Sequence, residues 1–317
     1  MYTIGIDLGG TGLQAGVVDE NNNIIGRAER PTGMPRPADE IMDDAAAACR
    51  EAVEKAGLTM DDIDSVGIGS PGTANTKTGI IEFAGNLGMK NYPMVKALTD
   101  RLGKPVYIAN DADSAAYGEA IAGAAKGHSN VICITLGTGV GGGVIIDGKI
   151  ISGFNFAGGE LGHTVIVENG LPCNCGRCGC WEKYASATAL INQTRDAMEN
   201  DPESAMWQIA GSLENVNGKT AFDGMRQGDA AAIEVVDNYI YHIACGLVNV
   251  INVFQPEILC VGGGISKEKE TLLAPLRKIV EKERFSKYSE QQTELVAAML
   301  GNEAGIIGAA NLYRLYK

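Results

Sequence analysis

The chain has 317 residues, of which 45% are hydrophobic and 21% charged, and its 26 Lys+Arg against 39 Asp+Glu leave a net charge of −13. That length suggests about two soluble domains, each with a sizeable core. Acidity on this scale opposes phosphate backbones and anionic lipid, so neither nucleic acid nor a membrane surface is an expected partner.

The chain opens Met-Tyr-Thr-Ile-Gly-Ile-Asp-Leu-Gly-Gly, without the basic-then-apolar pattern of an export signal. No apolar run reaches the ~18 residues of a membrane span. A cytoplasmic protein is therefore expected, with its eight cysteines kept reduced rather than paired as disulfides. Strand-like runs at 3–6, 14–18 and 24–27 precede a helical pattern at 38–56. A strand at 65–68, a helix at 93–102, a strand at 105–109 and a helix at 112–123 follow. Next come strands at 131–135, 143–146 and 149–152, and helices at 185–199 and 229–253. A strand at 258–261 and helices at 267–283 and 305–315 complete the pattern. Interleaved strands and helices imply α/β layers.

An internal repeat stands out. Ile4-Gly-Ile-Asp-Leu-Gly-Gly-Thr11 resembles Ile132-Cys-Ile-Thr-Leu-Gly-Thr-Gly139 at an offset of 128. Each copy reads strand, glycine turn, strand, turn, strand, which implies a duplicated domain. Glycines let a backbone approach a ligand closely, and successive N–H groups in such turns form an anion-binding concavity. The candidates are Gly9, Gly10 and Thr11 in the first turn and Gly137, Thr138 and Gly139 in the second. Gly262 and Gly263, after the strand at 258–261, form a third cluster. Asp7 adds a carboxylate suited to holding Mg2+. No Gly-Lys-Ser/Thr ending marks a P-loop, and the G-x-G-x-x-G match at 137–142 lies between two strands, which excludes a dinucleotide fingerprint.

Together the Asp-Leu-Gly-Gly-Thr run, the second Gly-Thr-Gly turn and the late Gly-Gly-Gly resemble the sugar kinase branch of the duplicated actin-like ATPase (ribonuclease H-like) fold. The resemblance implies two domains flanking a cleft and ATP held with Mg2+. The expected small domain is 1–110 plus 302–317, and the expected large domain is 111–301.

Cys173, Cys175, Cys178 and Cys180 lie within eight residues, ten after His163. Thiolates and an imidazole at close spacing suit tetrahedral Zn2+. A redox pair at Cys175 and Cys178, or an iron–sulfur centre, are the rival readings. The pattern C-x-C-G-x-x-G-C-x-E, complete from Cys173 to Glu182, matches the signature of the ROK family residue by residue. The resemblance implies a structural zinc held by His163, Cys173, Cys175 and Cys180, with Cys178 at a variable position.

Asn110-Asp111 follows a strand and opens a helix, where either residue is a favoured cap. The family resemblance makes Asp111 the general base and Asn110 a sugar ligand. It assigns Glu160, His163 and Glu182 to sugar hydroxyls, and Gly72 and Asn86 to the pocket lining. The implied reaction is ATP-dependent phosphorylation of a hexose at its 6-hydroxyl, with glucose the first choice. N-acetylglucosamine, N-acetylmannosamine, fructose, allose and mannose are the alternatives, since kinases for them share this residue set. A non-enzymatic repressor of the family carries a helix-turn-helix ahead of its body, for which no room is expected before Asp7. Family members are usually homo-oligomers, dimers or tetramers.

Overall fold

The computed structural model describes residues 1–316. Two compact units account for them: Met1–Cys133 with Gly143–Gly159 and the segment from Ala298 onward, and Ile134–Gly142 with Glu160–Ala297.

The first unit begins with β1 (Tyr2–Leu8), β2 (Gly12–Val18) and β3 (Ile24–Pro31), followed by helix α1 (Ala38–Lys55). Then come β4 (Ile63–Ser70), β5 (Thr73–Asn75), β6 (Ile80–Ala84), β7 (Met89–Tyr92), α2 (Met94–Leu102), β8 (Val106–Asn110) and α3 (Asp111–Ala122). The main sheet has the order β3-β2-β1-β4-β8. β1 and β2 are antiparallel, whereas β4 is parallel to both β1 and β8. The alternating strand residues Ile4, Ile6 and Leu8 bury one face against α1, which presents Ile41, Ala45, Ala48, Cys49 and Ala52 at helical spacing. Each large aliphatic side chain in such a layer contributes about 1.5–3 kcal/mol.

The chain continues through β9 (Val131–Leu136), β10 (Val140–Ile146) and β11 (Lys149–Ile150). Helices α4 (Glu182–Ala185), α5 (Ala187–Asn200), α6 (Met206–Ala210), α7 (Thr220–Arg226) and α8 (Ala230–Phe254) precede β12 (Ile258–Gly262), α9 (Glu270–Glu283) and β13 (Glu294–Ala297). This sheet has the order β11-β10-β9-β12-β13. Both five-stranded sheets therefore run third, second, first, fourth, fifth. The duplication read from the two glycine-rich runs is present in the topology.

The last helix, α10 (Ala304–Ala310), is shorter than the expected 305–315 and ends in a tight turn over Leu312–Tyr316. It lies directly on the first sheet. A Cβ on Gly5 of β1 or Gly67 of β4 would overlap the carbonyls of Ile306 or Ala309. The pair α3 and α10 is equally close, with Gly118 against Ala304 O and Gly308 against Ser114 O. This packing groups α3 with the first unit, whereas the expected boundary at residue 110 assigns it to the second.

Other differences from the expected elements have local causes. The small sheet β5-β6-β7 and strand β13 are three to five residues long, too short to show a periodicity. The helix expected at 185–199 is broken at Ser186, whose hydroxyl caps α5 by accepting the Ala189 N–H at 3.0 Å. Among the described residues, no helix is long and apolar enough to cross a membrane.

Candidate active site

In the first unit the β1–β2 turn presents Asp7, Gly9, Gly10 and Thr11. Gly9 N–H closes the turn on Gly12 O at 2.8 Å, and Thr32 braces it through its hydroxyl to Gly9 O at 2.7 Å and its N–H to Thr11 O at 3.0 Å. The Asn86 side chain lies over Gly10, where a Cβ would stand 3.5 Å from its Nδ2. Asp7 rests against Gly305 of α10, where a Cβ would lie 2.8 Å from Oδ2.

Asn110 caps α3, its Oδ1 accepting the N–H groups of Ala112 at 2.8 Å and Asp113 at 3.3 Å. Its Nδ2 donates to Gly72 O at 3.2 Å. Gly72 has φ +89°, and a Cβ there would overlap Phe83 O. The cap reading of Asn110 is thus realised in the fold, and its side chain also hydrogen-bonds the Asp111 carboxylate.

Asp111 stands in the first turn of α3. Burial raises its carboxyl above the usual range, against the Ala112 N–H that Oδ1 accepts at 2.9 Å. Burial and then the Asp111 charge push the Asp7 carboxyl up to about 6, with Arg27 acting the other way. Arg27, on β3, is held by Gln14 and lies 3.9 Å from Glu303. A pair of carboxylates with raised proton affinity at a strand end is a recognised mark of a functional site. Arg27 and Gly305 carried no motif in the sequence. Gly305 stood only as the first residue of the expected helix at 305–315.

In the second unit the β9–β10 turn presents Gly137, Thr138 and Gly139. The start of α5 braces it, with Ala187 N–H on Gly137 O and the Thr188 hydroxyl on Thr138 O, both at 2.8 Å. Gly263, with φ +87°, packs on Leu136 at the base of the same turn, which brings Gly262 and Gly263 beside it. Glu182, at the start of α4, reaches the turn as well, and its Oε2 accepts the Val140 N–H at 3.0 Å. A Cβ on Gly139 would clash with that oxygen.

His163, Cys173, Cys175 and Cys180 bring one ligand atom each to within 4.8 Å of one another. Cys173 Sγ is 3.6 Å from His163 Nδ1, and Cys175 Sγ is 3.5 Å from Cys180 Sγ. A tetrahedral zinc with ~2.3 Å bonds to sulfur separates its ligand atoms by about 3.5–3.8 Å, so these residues fit the metal. Gly176 and Gly179, with φ +90° and +80°, turn the chain so that the thiols converge. Cys178 is exposed and lies outside the group. With Nδ1 facing the thiols, His163 Nε2 lies 3.9 Å from Glu160 Oε2. His242 packs against Tyr184, with ring centroids 5.1 Å apart and the planes tilted by 49°.

The ROK family model matches residues 3–315. A glucokinase of Streptomyces coelicolor is 39% identical over 315 residues, covering 98% of this chain and 97% of that protein. A glucokinase of Thermotoga maritima is 37% identical over 312 residues, with 98% and 96% covered. A crystal structure of a ROK family glucokinase from Streptomyces griseus, in complex with glucose and AMPPNP, superposes with a TM-score of 0.83 at 38% identity, covering 98% and 99% of the two chains. The fold is that of the actin-like ATPases, and the chain belongs to the ROK family.

Proposed function

We propose that this protein phosphorylates glucose at the 6-hydroxyl with ATP, using Asp111 as general base. The broader class, an ATP-dependent hexokinase, follows from family membership with the motif residues in place. The observation that carries the finer reading is Asp111 itself. It is a carboxylate at the end of a strand and the start of a helix, with its proton affinity raised by burial. A base of that kind accepts a hydroxyl proton more readily than an ordinary surface carboxylate.

In the proposed step the 6-oxygen forms a bond to the γ-phosphorus as the bond to the β-bridging oxygen breaks. The hydroxyl proton passes to Asp111, and ADP leaves. Phosphoryl transfer of this kind depends on positioning and charge neutralisation. Mg2+ arriving with ATP would supply part of that neutralisation, and Asp7 is the residue that would hold it. Gly9, Gly10 and Thr11, with Gly137, Thr138 and Gly139, are assigned to the phosphates, and Gly262 and Gly263 to the adenosine. Gly72, Asn86, Asn110, Glu160, His163 and Glu182 are assigned to the sugar. Charged acceptors make stronger bonds to hydroxyls, which favours the carboxylates for this role.

A zinc ion on His163, Cys173, Cys175 and Cys180 would have four protein ligands and no open position for water, so its contribution is structural. One ring nitrogen of His163 belongs to that group and the other points to Glu160, which links the metal loop to the proposed sugar ligands.

The test is a coupled assay of ADP production across a hexose panel, with zinc measured on protein purified without chelators. Glucose is expected to give the highest kcat/KM, with about one zinc per chain. Preference for another hexose would overturn the choice of glucose, and absence of turnover with every sugar would overturn the kinase reading. Metal-free protein would overturn the zinc assignment.

A further inference from the structure

Cys180, Trp181 and Glu182 are consecutive, yet their side chains go to three different places. Cys180 joins the thiol group, and Glu182 reaches the β9–β10 turn. Trp181 enters the core and is 0% exposed. Its backbone N–H donates to Thr164 O at 2.7 Å, and its indole N–H donates to His242 O at 2.9 Å. In helix α8 that carbonyl is the partner of the Gly246 N–H one turn on. The indole lies against this same turn, where a Cβ on Gly246 would overlap the ring carbons Cδ2, Cε2 and Cζ2. At the other end of α4, the buried Tyr239 of α8 donates its hydroxyl to Ala185 O at 2.9 Å. Helix α8 therefore holds the short helix that carries Glu182 at both ends.

Consecutive Cα atoms are about 3.8 Å apart, so an indole displaced from its seat drags the backbone of both neighbours with it. One neighbour is a proposed metal ligand and the other a proposed sugar ligand. We infer that Trp181, seated on Gly246, is a positioning residue that sets Cys180 and Glu182 in one register and makes α8 a determinant of sugar affinity. The inference rests on the assignment of Glu182 to the sugar and of Cys180 to zinc.

Gly246→Ala places a methyl where the ring lies. Misplacement of a site group by about 1 Å costs up to ~100-fold, so the sugar KM is expected to rise about tenfold or more. Bound zinc should fall, and the ATP KM should change less than the sugar KM. Trp181→Leu on the Gly246→Ala background removes the fused ring carbons that the methyl strikes, and it should recover most of the sugar KM and the zinc. KM is independent of the folded fraction, so a role confined to stability would lower Tm and leave KM in place. Unchanged KM and zinc in Gly246→Ala, or a double variant as impaired as the single, would overturn the inference.

If Gly246→Ala does not fold, Trp181→Phe alone decides. A severalfold rise in sugar KM with a native circular dichroism spectrum supports the inference, and an unchanged KM overturns it. Failure of the parent readings is separable. A wild type that phosphorylates no hexose leaves zinc content as the readout, and a wild type without zinc leaves KM.

Discussion

The two glycine turns occupy the same place in two sheets of the same strand order, yet they are furnished oppositely. The β1–β2 turn carries its own carboxylate, Asp7, which burial and Asp111 push up to about 6. At the matching position 128 residues on, the β9–β10 turn has Thr135. That turn receives its carboxylate from elsewhere in the chain, through the bond from Val140 N–H to Glu182. Their bracing differs too, with Thr32 on the first turn and the start of α5 on the second. Duplication copied the backbone cradle. The charged groups were then distributed unequally, so that the pair of carboxylates with raised proton affinity lies in the first unit alone among the groups described above. Under the proposed function the first copy would serve the proton and Mg2+ chemistry, and the second would hold the sugar beside the proposed zinc loop.

The sharpest way to break that division is Asp111→Ala. Positioned general bases contribute about 10²–10⁴-fold, so kcat is expected to fall by that range, with sugar binding still measurable by calorimetry. Turnover near the wild-type value would remove the first unit's claim to the chemistry.

A smaller effect separates the two jobs of Glu182. Glu182→Gln keeps an oxygen for the Val140 N–H but loses the charge. Hydrogen bonds to charged groups are worth about 1.5–3 kcal/mol, so the sugar KM should rise by about tenfold or more with little change for ATP. Glu182→Ala removes both bonds and should raise both KM values. Identical ATP KM values in the two variants would mean that the bond to Val140 does not shape the second turn.

The smallest effect is on stability, and its sign is set by the direction of the Asp7 shift. Its folded pKa of about 6 exceeds the ordinary 3.8, so between those values the folded chain holds a proton that the unfolded chain has released. Stability from this group is intact below pH 3.8 and is lost as pH rises through about 6. Asp7→Asn removes the loss, so Tm should exceed wild type by a few degrees above pH 6 and by nothing near pH 3. The same variant should lose most of its kinase activity at every pH. A Tm difference that ignores pH would mean that the shift in Asp7 is not a property of the folded first turn.

Much of the site was legible before the fold. The thiol motif from Cys173 to Glu182, the Asp-Leu-Gly-Gly-Thr run and the Asn110-Asp111 pair are local patterns. Their chemistry and turn geometry are carried by adjacent residues, such as Gly176 and Gly179 in left-handed backbone. Strands β5 to β7 and β13 were not legible, because runs of three to five residues are too short to show a periodicity and are held by cross-strand pairing. Helix α10 was expected to run to residue 315, but it ends at Ala310 and the chain tightens into a 3-10 turn over Leu312–Tyr316. Its Gly305 and Gly308 each cost about 1 kcal/mol in a helix, and their presence makes sense only against Asp7 and Ser114.

The sequence by itself determined the family resemblance, the duplication and the residue types at each turn, because these depend on short runs whose backbone conformation is set by neighbours along the chain. The tertiary structure alone decided that Asp111 raises the proton affinity of Asp7, that Glu182 bonds to Val140 and that Trp181 rests on Gly246. Those partners lie tens of residues apart or more. Their proximity is the outcome of sheet register and of glycines that let helices lie against backbone, and no local propensity encodes it.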